Sequence, residues 1–433
     1  MMSTNDAADV VIVGAGIAGL CAAYALRSSL PEVSVRVLEA ADRVGGNLRR
    51  ALVGDIPVDT GAQTVGGGSS ELAALLQDLG LAEHKIAPAA PEVRIFTNGQ
   101  LRQVPRWSDT GPLVREVLRH GYVSPPAAAS AAAHAVVGRF LQRPGADEPL
   151  GRAVRSAVTS RAADSLLSPV RQSSFDPSLP RRSRTGRHAW GLAGGTARLA
   201  ERLGEELSSL ISLRSPVARI VPVADRWHLL NEDGSVRLSA RSVISAVPAP
   251  VAGRLLADTS AAAPLSCVRY RASATVTFRF DAGMRPLAPG VTGILVGAPE
   301  LSPLVAVTFV DRKFDSPGTS ANVVRCSLRL TSSHAMRHQE LADLAVDLLG
   351  RVCGPLPTIA DRVVDVFPHG VPETTAETAA HLKEAIGHLA RHGLYLSGAY
   401  LSRPSGLRSA IASGFAAARL AAERSREMLR DEP

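Results

Sequence analysis

The sequence predicts two kinds of architecture, an α/β part built on a parallel sheet and an α+β part built on an antiparallel sheet. The first prediction rests on residues 10–26, where a β-branched run ends in a G-x-G-x-x-G turn and continues as an alanine-rich stretch. Strand, tight turn and helix in this order hold a dinucleotide. The second rests on apolar or alternating runs at residues 272–280, 293–296 and 305–310. We therefore expect a Rossmann-like fold joined to a second domain.

The glycines of the turn have separate tasks in such a unit. Gly14 permits the sharp turn, Gly16 lets a pyrophosphate approach the backbone, and Gly19 lets the helix pack closely on the strand. The helix N-terminus, with Ile17 and Ala18, faces the phosphates. All five residues are therefore predicted to bind the cofactor.

A second strand over residues 33–38 ends at Glu39, twenty residues after Gly19. A carboxylate at this place accepts hydrogen bonds from a ribose diol and favours an adenosine without a 2′-phosphate. We therefore expect Glu39 and the adjoining Ala40 to lie beside the ribose.

Composition and charge narrow the class of protein. At 433 residues the chain has room for two domains or one elaborate domain. Its net charge of +8 comes from arginines spread along the chain, with three lysines and no interleaved aromatic residues, which argues against a nucleic-acid surface. The apolar N-terminus is too short and too rich in glycine to span a bilayer, and it lacks the basic start of a secretory signal. Four widely spaced cysteines without metal-ligand spacing predict no metal site and a cytoplasmic location.

A second signature follows Glu39, with E-x-x-x-R-x-G-G over residues 39–46 and D-x-G-A over residues 59–62. Paired glycines let the backbone run against a pyrophosphate and a ribityl chain, and Arg43 can neutralise phosphate charge. The two signatures together resemble those of the flavin amine oxidase and protoporphyrinogen oxidase superfamily. The resemblance implies FAD, held by Arg43, Gly45, Gly46, Asn47, Leu48, Gly61, Ala62 and Gln63.

Two further segments match the superfamily's nucleotide-binding part. Residues 190–196 precede a predicted helix and match a G-G-x-x-x-L segment. In the superfamily, a residue placed like Val217 offers backbone hydrogen bonds to adenine, and a strand like residues 242–247, which includes Ala246, runs under the nucleotide. A β-meander without ligand contacts would still place this block beside the first strand.

The C-terminal residues 393–414 complete the FAD signature. The resemblance implies that a strand delivers Gly398 and Ala399 to the pyrophosphate. A helix from about Leu407 to Leu429, preceded by Gly406, then begins beside the isoalloxazine, where its positive end stabilises the charge of the reduced flavin. No cysteine lies near this end, so we expect non-covalent FAD.

Substrate recognition is less well defined. A mainly helical pattern over residues 111–167 corresponds to the helical part beside the substrate cavity of protoporphyrinogen oxidases, with at most peripheral membrane contact. Residues 367–374 align with a W-x-x-x-x-P-Q-Y turn that commonly lines this cavity, but they carry Phe367, Glu373 and Thr374 at its characteristic positions. The candidate substrate residues are Phe367 and the arginines that could pair with propionates, Arg171, Arg182, Arg184 and Arg187.

No side chain stands out as a catalytic acid or base. Flavin amine oxidases often hold a lysine near flavin N5, and Lys313 is a candidate although it lies outside their lysine motif. His369 is a candidate because it belongs to the cavity segment. The cofactor performs the oxidation in this superfamily, so the absence of an evident base does not argue against activity.

The resemblance predicts an order of segments along the chain. Residues 1–85, 188–255 and 389–433 form the FAD-binding domain, residues 86–187 a substrate and helical subdomain, and residues 256–388 the antiparallel substrate domain.

The expected activity is an FAD-dependent oxidase or dehydrogenase that removes hydride equivalents from a small molecule. Protoporphyrinogen and coproporphyrinogen are the first substrates to test, with O2 or another acceptor taking the electrons. Two alternatives remain. The first is oxidation of an amine or a biosynthetic intermediate, and the second is a non-catalytic protein that keeps the FAD fold. The oligomeric state is left open.

Overall fold

The structure is a computed structural model that describes residues 7–88, 92–97, 99–103, 189–281, 290–296, 301–314, 322–331, 337–373, 375–402 and 405–431. The predicted helical pattern over residues 111–167 and the four candidate substrate arginines at 171, 182, 184 and 187 lie outside these ranges. Within them, no helix is both long and apolar enough to cross a bilayer.

The described part of the chain begins with a strand, a helix and a run of short strands, and strands also dominate its middle. The strands are β1 Ala7–Val13, β2 Val35–Leu38, β3 Arg50–Val53, β4 Ile56–Asp59, β5 Val65–Gly66, β6 Lys85–Ile86, β7 Glu92–Thr97, β8 Gln100–Gln103, β9 Ala189–Leu192, β10 Ile211–Ser212, β11 Arg219–Val223, β12 Arg226–Leu230, β13 Val236–Ser245, β14 Arg269–Phe280, β15 Val291–Val296, β16 Leu304–Phe309, β17 Val323–Leu330, β18 Ile359–Glu373 and β19 Leu394–Leu396. The helices are α1 Ile17–Ser29, α2 Ser70–Asp78, α3 Ala197–Glu206, α4 Ala249–Leu255, α5 Ala262–Ser266, α6 Val310–Lys313, α7 His338–Cys353, α8 Ala376–Arg391 and α9 Leu407–Asp431.

The first sheet has the order β10-β2-β1-β13-β12-β11, and β19 also pairs with β13. Strands β10, β2, β1, β13 and β19 run parallel, while β12 and β11 add an antiparallel hairpin at one edge. Val10 of β1 lies between Val35 of β2 and Ser242 of β13. The prediction that the strand near residues 242–247 lies beside the first strand is therefore confirmed, although β13 begins earlier.

Helices cover both faces of this sheet because its apolar strands are buried on both sides. One face packs against α1, α3 and α9. The other packs against α4, α5 and α8. Helices α1 and α9 approach so closely that a Cβ atom on Gly414 would lie 2.2 Å from the carbonyl oxygen of Ala18.

This close approach predicts opposite effects for two helical glycines. Gly414→Ala should destabilise the protein by about 3 kcal/mol, because its methyl group would push α9 away from α1. Gly387→Ala is the matched control, since a Cβ atom on this exposed glycine of α8 would meet no atom within 4 Å. It should stabilise by up to about 1 kcal/mol through helix propensity. Urea unfolding of both variants measures the difference, and equal effects would contradict the close helix contact.

The second sheet has the order β18-β14-β17-β16-β15-β7-β8 and is antiparallel except between β15 and β7. The strands predicted at residues 272–280, 293–296 and 305–310 are present as β14, β15 and β16, except that Val310 begins a short helix. One face of the sheet packs on α7 and forms an apolar core.

The opposite face is lined by the alternate residues of β14 and β17, and we call it the polar face. Side chains directly opposite each other in an antiparallel pair lie on one face. By this register the polar face carries Arg271, Ser273, Thr275, Thr277, Arg325, Ser327 and Arg329. It meets the nucleotide-binding part where Thr275 donates a hydrogen bond to the carbonyl oxygen of Thr60, at 2.9 Å.

Residues 367–373, expected as a turn, instead form the end of β18. Arg271 of β14 lies opposite Val371, whereas Ser273 lies opposite Phe367, so the additional residues of β18 form a bulge. Gly370 makes the bulge feasible, because a Cβ atom there would lie 2.4 Å from the Ser273 hydroxyl. The expectation of a turn was wrong because the pairing partner lies almost a hundred residues earlier in the chain.

Candidate functional site

The turn over residues 14–19 follows β1 and contains glycines for two different reasons. Gly14 has φ +103°, and a Cβ atom on Gly19 would lie 1.9 Å from the carbonyl oxygen of Gly14. The backbone conformation of Gly14 and the packing of Gly19 against Gly14 therefore explain these two glycines without a ligand. A Cβ atom on Gly16 would meet nothing nearer than 4.0 Å, where Gly46 lies. The space beside Gly16 is therefore open to a ligand.

The N-terminus of α1 opens into this space. Gly16 is the N-cap, no side chain caps the helix, and its first turn contains no acidic residue. The Glu39 carboxylate accepts hydrogen bonds from the backbone N–H of Ala15, at 2.7 Å, and of Ala41, at 2.8 Å. Uncapped amides at a helix N-terminus bind phosphate, and Glu39 lies beside them where a ribose would follow.

The glycine pair after Arg43 lies against the first turn. Gly45 and Gly46 have φ of +102° and +58°, and Gly45 forms a parallel β-bridge with Gly16. The Arg43 guanidinium donates to the carbonyl oxygens of Val44 and Gly46, each at 3.0 Å. Burial, followed by the nearby Arg49, lowers the pKa of Arg43. Arg43 thus braces the glycine pair, and its contact with a phosphate stays a prediction.

Residues 59–63 form a loop after β4, which we call the cradle loop. Asp59 is buried, and its carboxylate accepts hydrogen bonds from the N–H of Thr196 at 2.6 Å and of Ala197 at 3.2 Å, at the start of α3. Burial raises the pKa of Asp59, while these hydrogen bonds oppose the rise. A Cβ atom on Gly61 would lie 1.9 Å from the carbonyl oxygen of Asn47. The cradle loop is therefore fixed against both the glycine pair and α3.

Two cations reach the cradle loop, Lys313 at the end of α6 and Arg325 on β17 of the second sheet. Lys313 Nζ donates to Gln63 Oε1 at 3.2 Å, and Arg325 donates to the carbonyl oxygens of Asp59, at 3.2 Å, and Gly61, at 2.9 Å. Arg325 is only 8% exposed. Burial lowers the pKa of Lys313 to about 7, with Arg325 adding to the effect, and lowers that of Arg325 to about 10. Lys313 can therefore lose or take up a proton near neutral pH.

Arg325 was absent from the sequence-based candidates because it belongs to no motif. Its signal in the sequence is weak, being an arginine at an alternate position in the apolar strand Val323–Leu330. Only the pairing of Arg325 with Thr277 on β14 places it on the polar face.

Phe367, a predicted substrate residue, lies under an arginine. The Arg49 guanidinium lies 4.9 Å from the Phe367 ring centroid and forms an ion pair with Asp365. Thr60 donates a hydrogen bond to the same carboxylate at 2.6 Å. Phe367 is 4% exposed and Arg49 covers its ring, so a contact of Phe367 with a substrate stays a prediction.

His369, a candidate for catalysis, contacts Asn47 through its backbone. Its carbonyl oxygen accepts a hydrogen bond from Asn47 Nδ2 at 2.9 Å. Its ring packs edge-on against Tyr270, with centroids 5.3 Å apart. Burial and the charge of Arg254 lower the pKa of His369. This placement favours a packing role for the ring.

Val217 and Ala246, two predicted nucleotide contacts, lie near Glu39 and β1. Close to Val217 in the chain, the N–H of Ser215 donates to the Glu39 carbonyl oxygen and the N–H of Ala218 donates to that of Leu230, each at 2.8 Å. Ala246 bonds through its N–H to Val13 at the end of β1, at 2.8 Å. Both remain predicted cofactor contacts.

Strand β19 and helix α9 are joined at Gly398. Gly398 has φ +151° and donates its N–H to the Ser413 hydroxyl at 2.9 Å. Ala399 begins the following turn, and Gly406 precedes α9, where its N–H donates to the Ser409 hydroxyl at 2.8 Å. Leu407 begins α9 as predicted. These residues form the far wall of the predicted cofactor site, and their contacts with a cofactor stay predictions.

Together these features fit a flavin dinucleotide. The open space beside Gly16 and the uncapped helix suit a diphosphate, while Glu39 suits a ribose. The cradle loop and its two cations lie at the boundary with the second sheet, where a substrate can approach a ring system.

Comparisons with known proteins agree with this arrangement. The model of the family described as flavin containing amine oxidoreductase matches residues 17–422. The coproporphyrinogen III oxidase of Mycobacterium tuberculosis is 28% identical over 429 residues, covering 89% of this chain and 92% of the relative. Protoporphyrinogen oxidase 2 of Arabidopsis thaliana is 41% identical over 105 residues, or 24% of this chain and 20% of the relative.

Solved structures show the same fold. A structure from Exiguobacterium sp. 255-15, provisionally assigned as a protoporphyrinogen oxidase, has a TM-score of 0.81 at 21% identity and covers 98% of this chain and 100% of its own. Cyclohexylamine oxidase from Brevibacterium oxydans IH-35A has a TM-score of 0.69 at 20% identity, covering 97% and 99% of the two chains. The predicted resemblance and fold class are confirmed. The chain therefore belongs to the flavin-containing amine oxidoreductase family, and it is a flavin-dependent oxidoreductase that acts on a small molecule and passes electrons to an acceptor.

Proposed function

We propose that this chain is an FAD-dependent oxidase of a porphyrinogen, with O2 as the electron acceptor. The observation that carries the proposal is the contact of two cations, Lys313 and Arg325, with the cradle loop of a dinucleotide site. The similarity to coproporphyrinogen III oxidases over most of the chain supports the substrate class. The position of Glu39 beside the first glycine turn supports FAD as the form of the flavin.

Different residues of this chain have different roles in the proposed reaction. Bound flavin would supply the oxidation itself by accepting a hydride equivalent. The N-terminus of α1 binds the diphosphate, and Arg43 braces the glycine pair that lies against it. Arg325 fixes the cradle loop by donating hydrogen bonds to its backbone carbonyl oxygens. Lys313, with a pKa of about 7, holds or releases a proton at Nζ beside Gln63.

A second candidate function is oxidation of an amine or a biosynthetic intermediate. Glu373 favours it, because a carboxylate stands where the W-x-x-x-x-P-Q-Y pattern has an amide, and its side chain stays 49% exposed while it pairs with Arg271. A carboxylate on the cavity wall suits a cationic substrate.

Cytoplasmic location is also part of the proposal, supported by four unpaired cysteines.

The test mixes the purified, FAD-saturated protein in air with protoporphyrinogen IX and, separately, with coproporphyrinogen III. Porphyrin fluorescence is followed against an enzyme-free control, since both substrates also oxidise spontaneously. Turnover above the control supports the proposal and ranks the two substrates. A yellow, folded protein that oxidises neither substrate contradicts it and leaves the second candidate function.

A further inference from the structure

The polar face continues beyond the residues that touch the cradle loop. Thr275 contacts Thr60, and the next pair along the strands on this face is Ser273 with Arg329. Arg271 follows on β14. At roughly 3.4 Å per residue, Arg329 lies about 7 Å and Arg271 about 14 Å along the sheet from the Thr275 contact. Both arginines are therefore within reach of a molecule that lies over the cradle loop.

Glu373 forms an ion pair with Arg271, and its charge also acts on Arg329 from farther away. Arg271 Nε lies 2.7 Å from Glu373 Oε1. Burial, followed by the charge of Arg271, lowers the pKa of Arg329, and Glu373 opposes that shift. Among the residues that the structure describes, no carboxylate lies within 4 Å of the Arg329 guanidinium. Glu373 therefore forms an ion pair with Arg271 and acts on Arg329 only from beyond 4 Å, so no carboxylate of the described residues pairs with Arg329.

The surface around Arg271 and Arg329 is also positively charged. Around the cradle loop and the adjoining end of the polar face lie the guanidinium groups of Arg49, Arg271, Arg325 and Arg329 and the carboxylates of Asp59, Asp365 and Glu373, and Lys313 adds a further positive charge when it is protonated. A partly desolvated guanidinium beside another guanidinium gains most from an additional anion. The planar fork of arginine matches a carboxylate, which can accept two hydrogen bonds from it.

We propose that Arg271 and Arg329 form an anchor for a carboxylate group of the substrate. The inference rests on the proposed function, because the anchor lies beside the ring that is oxidised. Arg329 binds the carboxylate directly, and Arg271, held by Glu373, supplies a second positive charge beside it. A substrate bound in this way has its reacting ring over the cradle loop and an acidic side chain extending along β14 and β17.

The experiment compares Arg329→Gln and Arg271→Gln with the wild type. Arg279→Gln is the matched control, because Arg279 also lies on β14 but pairs with the exposed Asp55 at 2.7 Å, at the other end of the strand. The readouts are KM and kcat for coproporphyrinogen III, and the Kd of its oxidised product coproporphyrin III from fluorescence titration at low and high salt. Arg329→Lys tests whether charge without the fork restores binding.

We expect Arg329→Gln to raise both KM and Kd about tenfold with kcat within about twofold, and to weaken the salt dependence of binding. Arg271→Gln should act in the same direction, Arg329→Lys should restore part of the loss, and Arg279→Gln should match the wild type. Unchanged KM and Kd in both Gln variants of the anchor overturn the inference while leaving porphyrinogen oxidation intact.

Failure of the proposed function gives a different result. If the wild type oxidises neither porphyrinogen, binding of coproporphyrin III still decides the anchor. A tenfold weaker Kd in Arg329→Gln supports the anchor for another acidic substrate. Equal binding by all variants, or no binding by any of them, overturns it. Thermal unfolding of each variant excludes loss of the fold as the cause.

Discussion

Gly16→Val is expected to weaken FAD binding at least about 100-fold while the apoprotein stays folded. The Cβ atom of the new side chain would point into open space, since its nearest neighbour lies 4.0 Å away, and the backbone φ of −68° suits any residue. Valine is a poorer N-cap than glycine, so the melting temperature of the apoprotein should fall by no more than about 4 °C. The same side chain fills the space where a diphosphate would approach the helix.

Gly19→Ala is the matched comparison, and its effect should be the reverse. A methyl group on Gly19 would lie 1.9 Å from the Gly14 carbonyl oxygen, so the apoprotein itself should lose about 3 kcal/mol or more of stability. Flavin fluorescence titration and thermal unfolding of the apoproteins separate the two effects. Wild-type FAD affinity in Gly16→Val would place the diphosphate elsewhere.

Lys313→Met should slow reduction of the flavin by substrate about 100-fold. The ammonium group of Lys313 is desolvated beside Arg325, which is why its pKa lies at about 7. The rate in the wild type should therefore change around pH 7, and this change should disappear in the variant. Stopped-flow measurement of flavin absorbance across pH 5.5–9 gives both results. Lys383→Met on the exposed face of α8 is the control and should match the wild type.

The same lysine predicts a pH dependence of stability that needs no substrate. The pKa of Lys313 falls from 10.5, its ordinary value, to about 7 in the folded protein. Between these pH values the unfolded chain binds a proton that the folded chain does not, so the free energy of unfolding rises by up to about 1.4 kcal/mol per pH unit as pH rises. Urea unfolding at pH 7 and pH 9 should show a smaller gain in Lys313→Met. An equal gain would show that the lysine is fully hydrated.

The parts of the site that follow from short-range sequence order were predictable. Three features depend only on neighbours within one supersecondary unit. They are the turn and helix after β1, the carboxylate of Glu39 and the glycine pair at residues 45–46. The limits of α9 were also predictable, since the helix begins at Leu407 as expected and ends two residues after the expected Leu429.

The second sheet contributes what local patterns could not predict. Arg325 and Arg329 belong to the site because β17 pairs with β14 in one register, and a shift of one residue would turn both side chains toward α7. The bulge opposite Ser273 and the stacking of Arg49 on Phe367 depend on contacts between distant segments. Arginines spread evenly along a chain carry no sign of which ones the folded sheet brings together.

The contact between Ala18 and Gly414 has a consequence for folding kinetics. Nearly the whole chain separates these residues, and β19 reaches β13 only after the second sheet has been synthesised. Chains with such non-local contacts fold slowly, because the entropy of closing long loops must be overcome first. We therefore expect the predicted cofactor site to be complete only late in folding, so that flavin uptake follows assembly of both sheets.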